Sequence, residues 1–242
     1  FERIIKQNES GLKSVKSDPS SMARNAKSKA NFDASHPYSE VMTEETLKNI
    51  TLEDVKAYFK STFTPKGSYL VVVGDINKEK ASAMVDKYFG SWTGGDVYEN
   101  NNLKGSPNSG TRVLFVKKPG AVQSAIQVSF PMEIKPGDED AIALSVLNKI
   151  LGGGGFGTRL MQNLREDKAY TYGCYSSLDI DENGSVLSAG GNFRNEVTDS
   201  AITQIMYEIT RITEEYITDE ELNLTKMSMA GSFARSLERP QT

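Results

Sequence analysis

The 242 residues carry 28 Lys and Arg against 32 Asp and Glu, a formal net charge of −4, with 38% hydrophobic content. That much apolar material can fill one large core or two modest ones, as in an ordinary α/β chain and unlike a disordered one. The acidic balance argues against nucleic acid as a main partner, because phosphate binding calls for clustered Lys and Arg, and no apolar run approaches the roughly 18 residues that cross a bilayer.

In chain order, a first helix runs to about Lys16 and is broken at Asp18-Pro19. Phe1, Ile4, Ile5, Leu12 and Val15 make its buried stripe, with Gly11 at the edge and Glu9 on a roughly opposite flank. A short helix from Met22 to Phe32 follows, then a loop in which His36 is expected to be exposed or loosely packed before Pro37. Thr51 with Asp54 reads as a capping box for a helix burying Leu52, Val55 and Phe59. Residues 69–73 (YLVVV) form a continuous apolar run, as in a strand covered on both faces, and Asn77 caps a helix carrying Ala81, Met84, Val85 and Tyr88. Residues 94–111 are rich in Gly, Asn, Ser and Pro and read as a linker.

Beyond the linker the spacing predicts strands over 112–118 and 123–130, the latter turning Ile126, Val128 and Phe130 inward. A helix from about Asp138 should stop at Leu151, because Gly152, Gly153, Gly154 and Gly155 each disfavour a helix by about 1 kcal/mol against alanine. A new helix near Gly157 carries Leu160, Met161 and Leu164 inward, with Arg165 in its last turn. The period then changes to two, placing Tyr172, Cys174, Ser176, Leu178 and Ile180 on one strand face. A turn at Asn183-Gly184 leads to a strand over 185–193. Val197, Ala201, Ile205, Ile209, Ile212 and Tyr216 mark a long amphipathic helix, and Thr218 with Glu221 caps a last one whose Met227 and Phe233 read as core.

The smallest counts restrict the chemistry most. One His and one Cys exclude an internal disulfide, and they fall short of a hydrolytic zinc site, which takes three protein ligands and an open position. Cys174, on an inner strand, reads as a small core residue. A phosphate loop is also disfavoured, since Thr158 stands where the lysine of that motif belongs and the glycines follow a helix. No pair of carboxylates stands out for a metal-free hydrolase, although spacing alone does not exclude one.

The run LGGGGFGTRLMQNLREDKAYTYGCYSS, with HPYSE, LEDVKAYFKSTFTPKGSYLVVVGDI, KYFGSW and GSFARSLERPQT in order around it, resembles the insulinase-type (pitrilysin-like) zinc metallopeptidases. The resemblance implies an α/β (α+β) fold of two related sandwich units, each a mixed sheet packed with helices, of the LuxS and mitochondrial-processing-peptidase type. Residues 1–93 would be the latter part of one unit, 94–111 the linker and 112–242 most of the second, with both units truncated and their sheet edges open to association. It further implies that Arg165 and Tyr172 bind the substrate backbone, with Gly153 and Gly154 of the glycine run also touching substrate.

The family's third zinc ligand would fall at Gly11, and the chain has no H-x-x-E-H helix. Zinc and the activating carboxylate would therefore come from a catalytic half, in the same polypeptide or in a separate subunit. The chain itself is expected to be the inactive, peptide-binding portion of an enzyme acting on peptides or small unfolded proteins. The alternative is a catalytically silent scaffold member. A bacterial periplasmic or cell-envelope location is the expectation.

Overall fold

Capping residues set the helix boundaries in the first part of the chain. In the computed structural model, which describes residues 1–97 and 106–238, α1 (Glu2–Val15) ends before Asp18. The Asp18 carboxylate accepts from the backbone N–H groups of Ser20 and Ser21 and opens α2 (Pro19–Asn31). Thr43 caps α3 (Glu44–Lys48), the reciprocal Thr51–Asp54 box opens α4 (Leu52–Thr62), and Asn77 caps α5 (Lys78–Phe89).

The apolar faces of these helices are less covered than their periodicity predicts. Ile5, Leu12 and Val15 of α1 are half-buried, whereas Phe1 and Ile4 are exposed, as are Leu52, Val55 and Phe59 of α4. The strand expected over 69–73 does not form: these residues are 49–91% exposed and join no ladder, and 112–118 likewise stay outside the sheet. An apolar run becomes a strand only when a neighbour satisfies its N–H and C=O groups, and no described segment pairs with either run. The accessible surface is accordingly 17140 Å², against about 10,700 Å² for a compact monomer of this mass.

The second part of the chain holds the core. Three strands, β1 (Gln123–Met132), β2 (Thr171–Asp179) and β3 (Ser185–Arg194), make an antiparallel sheet in the order β1-β3-β2. One face turns Ile126, Cys174, Ala189 and Phe193 onto helices α6 (Ala141–Asn148), α7 (Arg159–Met161) and α8 (Thr198–Glu214). Leu151, Leu160, Leu164, Ala201 and Ile205 close that core with no exposure. The stripe of α8 runs as its spacing predicts through Ile212 but not to Tyr216, which is exposed. α9 (Asp219–Ser236) opens on the Thr218–Glu221 capping box, and its Met227 and Phe233 lie in solvent instead of in a core, because the described elements cover only the helix's first turns.

The opposite face of the sheet is polar, and α2 covers it. Asn31 Oδ1 accepts from Ser129 Oγ at 2.7 Å, Lys27 Nζ donates to Ser188 Oγ at 3.3 Å, and Ser20 Oγ donates to Asn192 Oδ1 at 3.1 Å. At the end of α2 the chain clasps the β2–β3 turn: a side chain at Gly184 would collide with the Phe32 ring, His36 Nε2 donates to the Asn183 carbonyl at 2.9 Å, and Tyr38 donates to Asp181. His36 is thus not an exposed loop residue. It is 3% exposed and stacked on Phe32 at 4.4 Å, because Nδ1 accepts from Tyr38 N nearby while Nε2 reaches a turn 147 residues away. Residues 106–108 are tied down as well: the Asp33 carboxylate accepts from Ser35 Oγ and from Ser106 N, at 2.7 Å each, bonds that lower its pKa to about 2, and Asn108 N donates to the Asn31 carbonyl.

The helix before the glycine run does not stop at Leu151. It widens into a π-helical turn, Lys149–Gly153, and Gly152 lies so close to β2 that an added Cβ would sit 2.5 Å from Ser176 N. Glycine here serves contact, not termination. Gly152→Ala should therefore destabilise the protein by about 1–3 kcal/mol in chemical denaturation, as overpacking against backbone does. Arg159 and Glu221 form a bidentate pair, 2.8 and 3.0 Å, that fastens α9 to α7 and lowers the Glu221 pKa to about 2. A depressed carboxylate pKa stabilises above its unfolded value of 4.5 and loses that stabilisation as pH falls towards 2. The stability gap between the protein and Glu221→Gln should be full at neutral pH and close across that acid window.

Candidate functional site

The corner between α7 and β2 is built from unusual backbone. After α7 the helix widens again, Gln162–Asp167, and it closes on Ala169 at φ 51°, a left-handed residue that is not glycine. Tyr170 N donates to the Leu164 carbonyl at 2.9 Å and Ala169 N to the Arg165 carbonyl at 3.1 Å, so the turn caps the helix and reverses the chain into β2. Tyr170 packs half-buried against the core, as its place in the pattern suggests.

Arg165 leaves the last turn of this helix. Its guanidinium carbon lies 4.5 Å from the centroid of the Phe156 ring, and its nearest carboxylate is that of Glu166 at 3.6 Å; the side chain keeps 34% exposure. A guanidinium stacked on an aromatic face is oriented without using its in-plane donors, which remain free for a ligand. Phe156, in the glycine loop and exposed, was not singled out by the sequence; a lone aromatic among glycines with no periodic partner is the signal that could have found it.

Tyr172 stands 89% exposed at the start of β2. It does not share the inner face with Cys174 and Ser176, as a regular period of two predicts. The register with β3 shifts between Thr171 and Cys174: Thr171 Oγ1 donates to the Asn192 carbonyl at 2.6 Å and accepts from Gly173 N at 3.0 Å. This irregularity swings Tyr172 outward, and Gly173, inside a strand pattern, was its sign. Arg165 and Tyr172 flank the same corner, and among the described residues no hydrogen bond joins them.

Gly153 and Gly154 serve the π-turn. Gly153 is half-buried against Asn148 and its carbonyl accepts from Lys149 Nζ at 2.9 Å, whereas Gly154 is exposed and too near the Lys149 carbonyl, 2.6 Å from an added Cβ, to carry a side chain. Gly155, at φ 96°, turns the loop towards Phe156.

The donor atoms of the described residues do not fit zinc. Both His36 nitrogens are committed to protein hydrogen bonds, Nε2 with the Asn183 carbonyl and Nδ1 accepting from Tyr38 N. Cys174 has no exposure, and burial pushes its thiol up to about 12, far from a thiolate ligand or nucleophile. Gly11 offers no donor, and among the described residues no three His, Cys, Asp or Glu side chains converge at metal distance. No helix among them is long and apolar enough to cross a membrane.

The pattern of the peptidase M16 inactive domain matches residues 49–229. The chain belongs to that family. This M16 domain is 29% identical over 229 residues to a protein of Bacillus subtilis named an uncharacterized zinc protease, covering 94% of this chain and 54% of that one. It is 26% identical over 196 residues to a Helicobacter pylori protein named a non-peptidase homolog, covering 78% and 43%. The crystal structure of a peptidase M16 inactive domain from Pseudomonas fluorescens superposes with a TM-score of 0.82 at 25% identity, over 96% of this chain and 55% of that one. The chain thus spans about half the length of the curated relatives it matches, and the insulinase-type resemblance and α/β class hold. It is an inactive M16 domain akin to zinc proteases.

Because Ala169 holds a left-handed conformation, Ala169→Gly should remove about 1 kcal/mol of strain and raise the melting temperature. Ala169→Val should lower it.

Proposed function

We propose that this chain is the substrate-gripping, non-catalytic part of a zinc metalloendopeptidase acting on peptides or small unfolded proteins. The observation that carries this reading is the pair of polar groups presented at one corner: the Arg165 guanidinium over the Phe156 ring, held only by a loose ion pair with Glu166, and the Tyr172 hydroxyl swung into solvent by the shifted register. Arg165 offers a forked donor to a peptide carbonyl, and Tyr172 offers a hydroxyl to the same region or to an oxyanion formed at a metal. β2 lies at the edge of the sheet, which favours an extended peptide added as a further strand, and Gly153 and Gly154 border its approach. Zinc and the activating carboxylate belong to an H-x-x-E-H catalytic half, in the same polypeptide or in a separate subunit. In this reading residues 1–93 belong to one unit, 94–111 link and 112–242 form most of the next. The left-handed Gly94, Gly95 and Gly110 support the linker assignment.

A second reading, a silent scaffold of the same fold, is favoured by the name of the Helicobacter pylori relative, a non-peptidase homolog. The two part on one measurement. In the parent protein joined to its metal-bearing half, Arg165→Ala and Tyr172→Phe should each lower kcat/KM for an unstructured peptide by about tenfold or more, the worth of a hydrogen bond to a charged group. Unchanged turnover and peptide affinity in both variants would leave the scaffold reading standing.

A further inference from the structure

The helix α2 reaches the polar face of the sheet through Ser129 of β1 and through Ser188 and Asn192 of β3, and among the described residues no side-chain bond ties it to β2. That face of β2 is left open. Alternation along the strand turns Gly173, Tyr175, Ser177 and Asp179 to it, while Cys174 and Ser176 are buried on the other side. Tyr175 is the large side chain of this row and is 51% exposed. Its ring lies back along its own strand, with the tip in the space that a side chain at Gly173 would fill: an added Cβ there would sit 2.6 to 2.9 Å from Cε2, Oη and Cζ. Across the ladder its partner is Gly190, which has no side chain to draw the ring towards β3.

We infer that Tyr175 determines specificity: its ring walls a subsite for an aromatic or large aliphatic side chain of a peptide paired along β2. The inference rests on the reading of the Arg165–Tyr172 corner, since only a peptide held along this edge brings a side chain to the ring. β2 has β3 on one side and no described strand on the other. A strand added there continues the pleat, so its residue opposite Tyr175 lies on the same face with the two Cβ atoms about 4.5–5.5 Å apart. The residues to either side do not offer the same contact. Gly173 has no side chain, and Ser177 Oγ hydrogen-bonds with Ser188 Oγ at 3.0 Å, which in turn accepts from Lys27 Nζ at 3.3 Å. Asp179 follows, exposed and charged. The preference for an apolar side chain is therefore confined to one position on this face, and it recurs for no peptide residue that points to the other face. A ring that covers a glycine also shields backbone, but that role acts on stability and not on the choice among peptides.

The test is a fluorescence-anisotropy titration of the parent protein, joined to a hydrolytically inactive metal-bearing half, with labelled Gly-Ser-Gln peptides that carry one Phe, or one Ala, at each position in turn. Affinity should peak for Phe at one position and fall back at its immediate neighbours. At the peak, the ratio of Phe-peptide to Ala-peptide affinity should drop about fivefold in Tyr175→Ala, the worth of an aromatic pair, and equally in Tyr175→Thr, which keeps a good strand former, whereas Tyr175→Phe should retain it. Arg165→Ala should weaken both peptides alike and preserve the ratio. A ratio unmoved by Tyr175→Ala and Tyr175→Thr, with Arg165→Ala still weakening both peptides, or no preference for Phe at any position, overturns the inference and leaves the corner reading in place. Full affinity for both peptides in Arg165→Ala and Tyr172→Phe overturns the corner reading and this inference with it.

Discussion

The approach of Gly152 to the backbone of Ser176 is the contact on which the seating of the helices over the sheet depends. With no Cβ at that position the widened helical turn lies directly on β2, and Leu151 and Leu160 fill the space to either side with no exposure. That seating fixes where the glycine loop emerges, and hence where Phe156 can meet Arg165. The corner is therefore held from within by packing, while the groups it presents keep hydrogen-bonding capacity to spare. Rigid support under free donors is the arrangement a binding site needs, since little side-chain entropy is lost when the ligand arrives.

The chemistry this chain lacks follows from the same bookkeeping of partners. Its one imidazole is consumed as a structural clasp between α2 and the β2–β3 turn, and its one thiol is sealed against Ala189 and Phe193 in the core. Both residues that could begin a metal site are spent on joining parts of the fold. What stays available at the surface is hydrogen-bonding capacity at the Arg165–Tyr172 corner.

Local signals were legible in the residues and long-range ones were not. The Thr51–Asp54 and Thr218–Glu221 boxes, the Asn77 cap and the stripe from Ala201 to Ile212 depend on neighbours three or four positions away, and all stand where the spacing puts them. The buried state of His36 depends on a turn that no periodicity links to it, and the widened turn at Gly152 depends on β2 lying beneath it. At the site the residue types were legible, but their aim was not. Tyr172 points outward because Thr171 bonds sideways to Gly173, and Arg165 is oriented by a ring nine residues earlier. Where apolar spacing overstated burial, at 69–73, Phe59 and Met227, the pattern correctly marked surfaces that want cover, but it does not say which element provides it.

Those uncovered surfaces bear on what stability means for this molecule. Exposed apolar side chains such as Tyr69, Val71, Phe115 and Phe59 gain free energy whenever another apolar surface closes over them. Whatever does so enters the unfolding equilibrium as a ligand of the native state, so the melting temperature becomes a function of concentration and of company, governed by mass action.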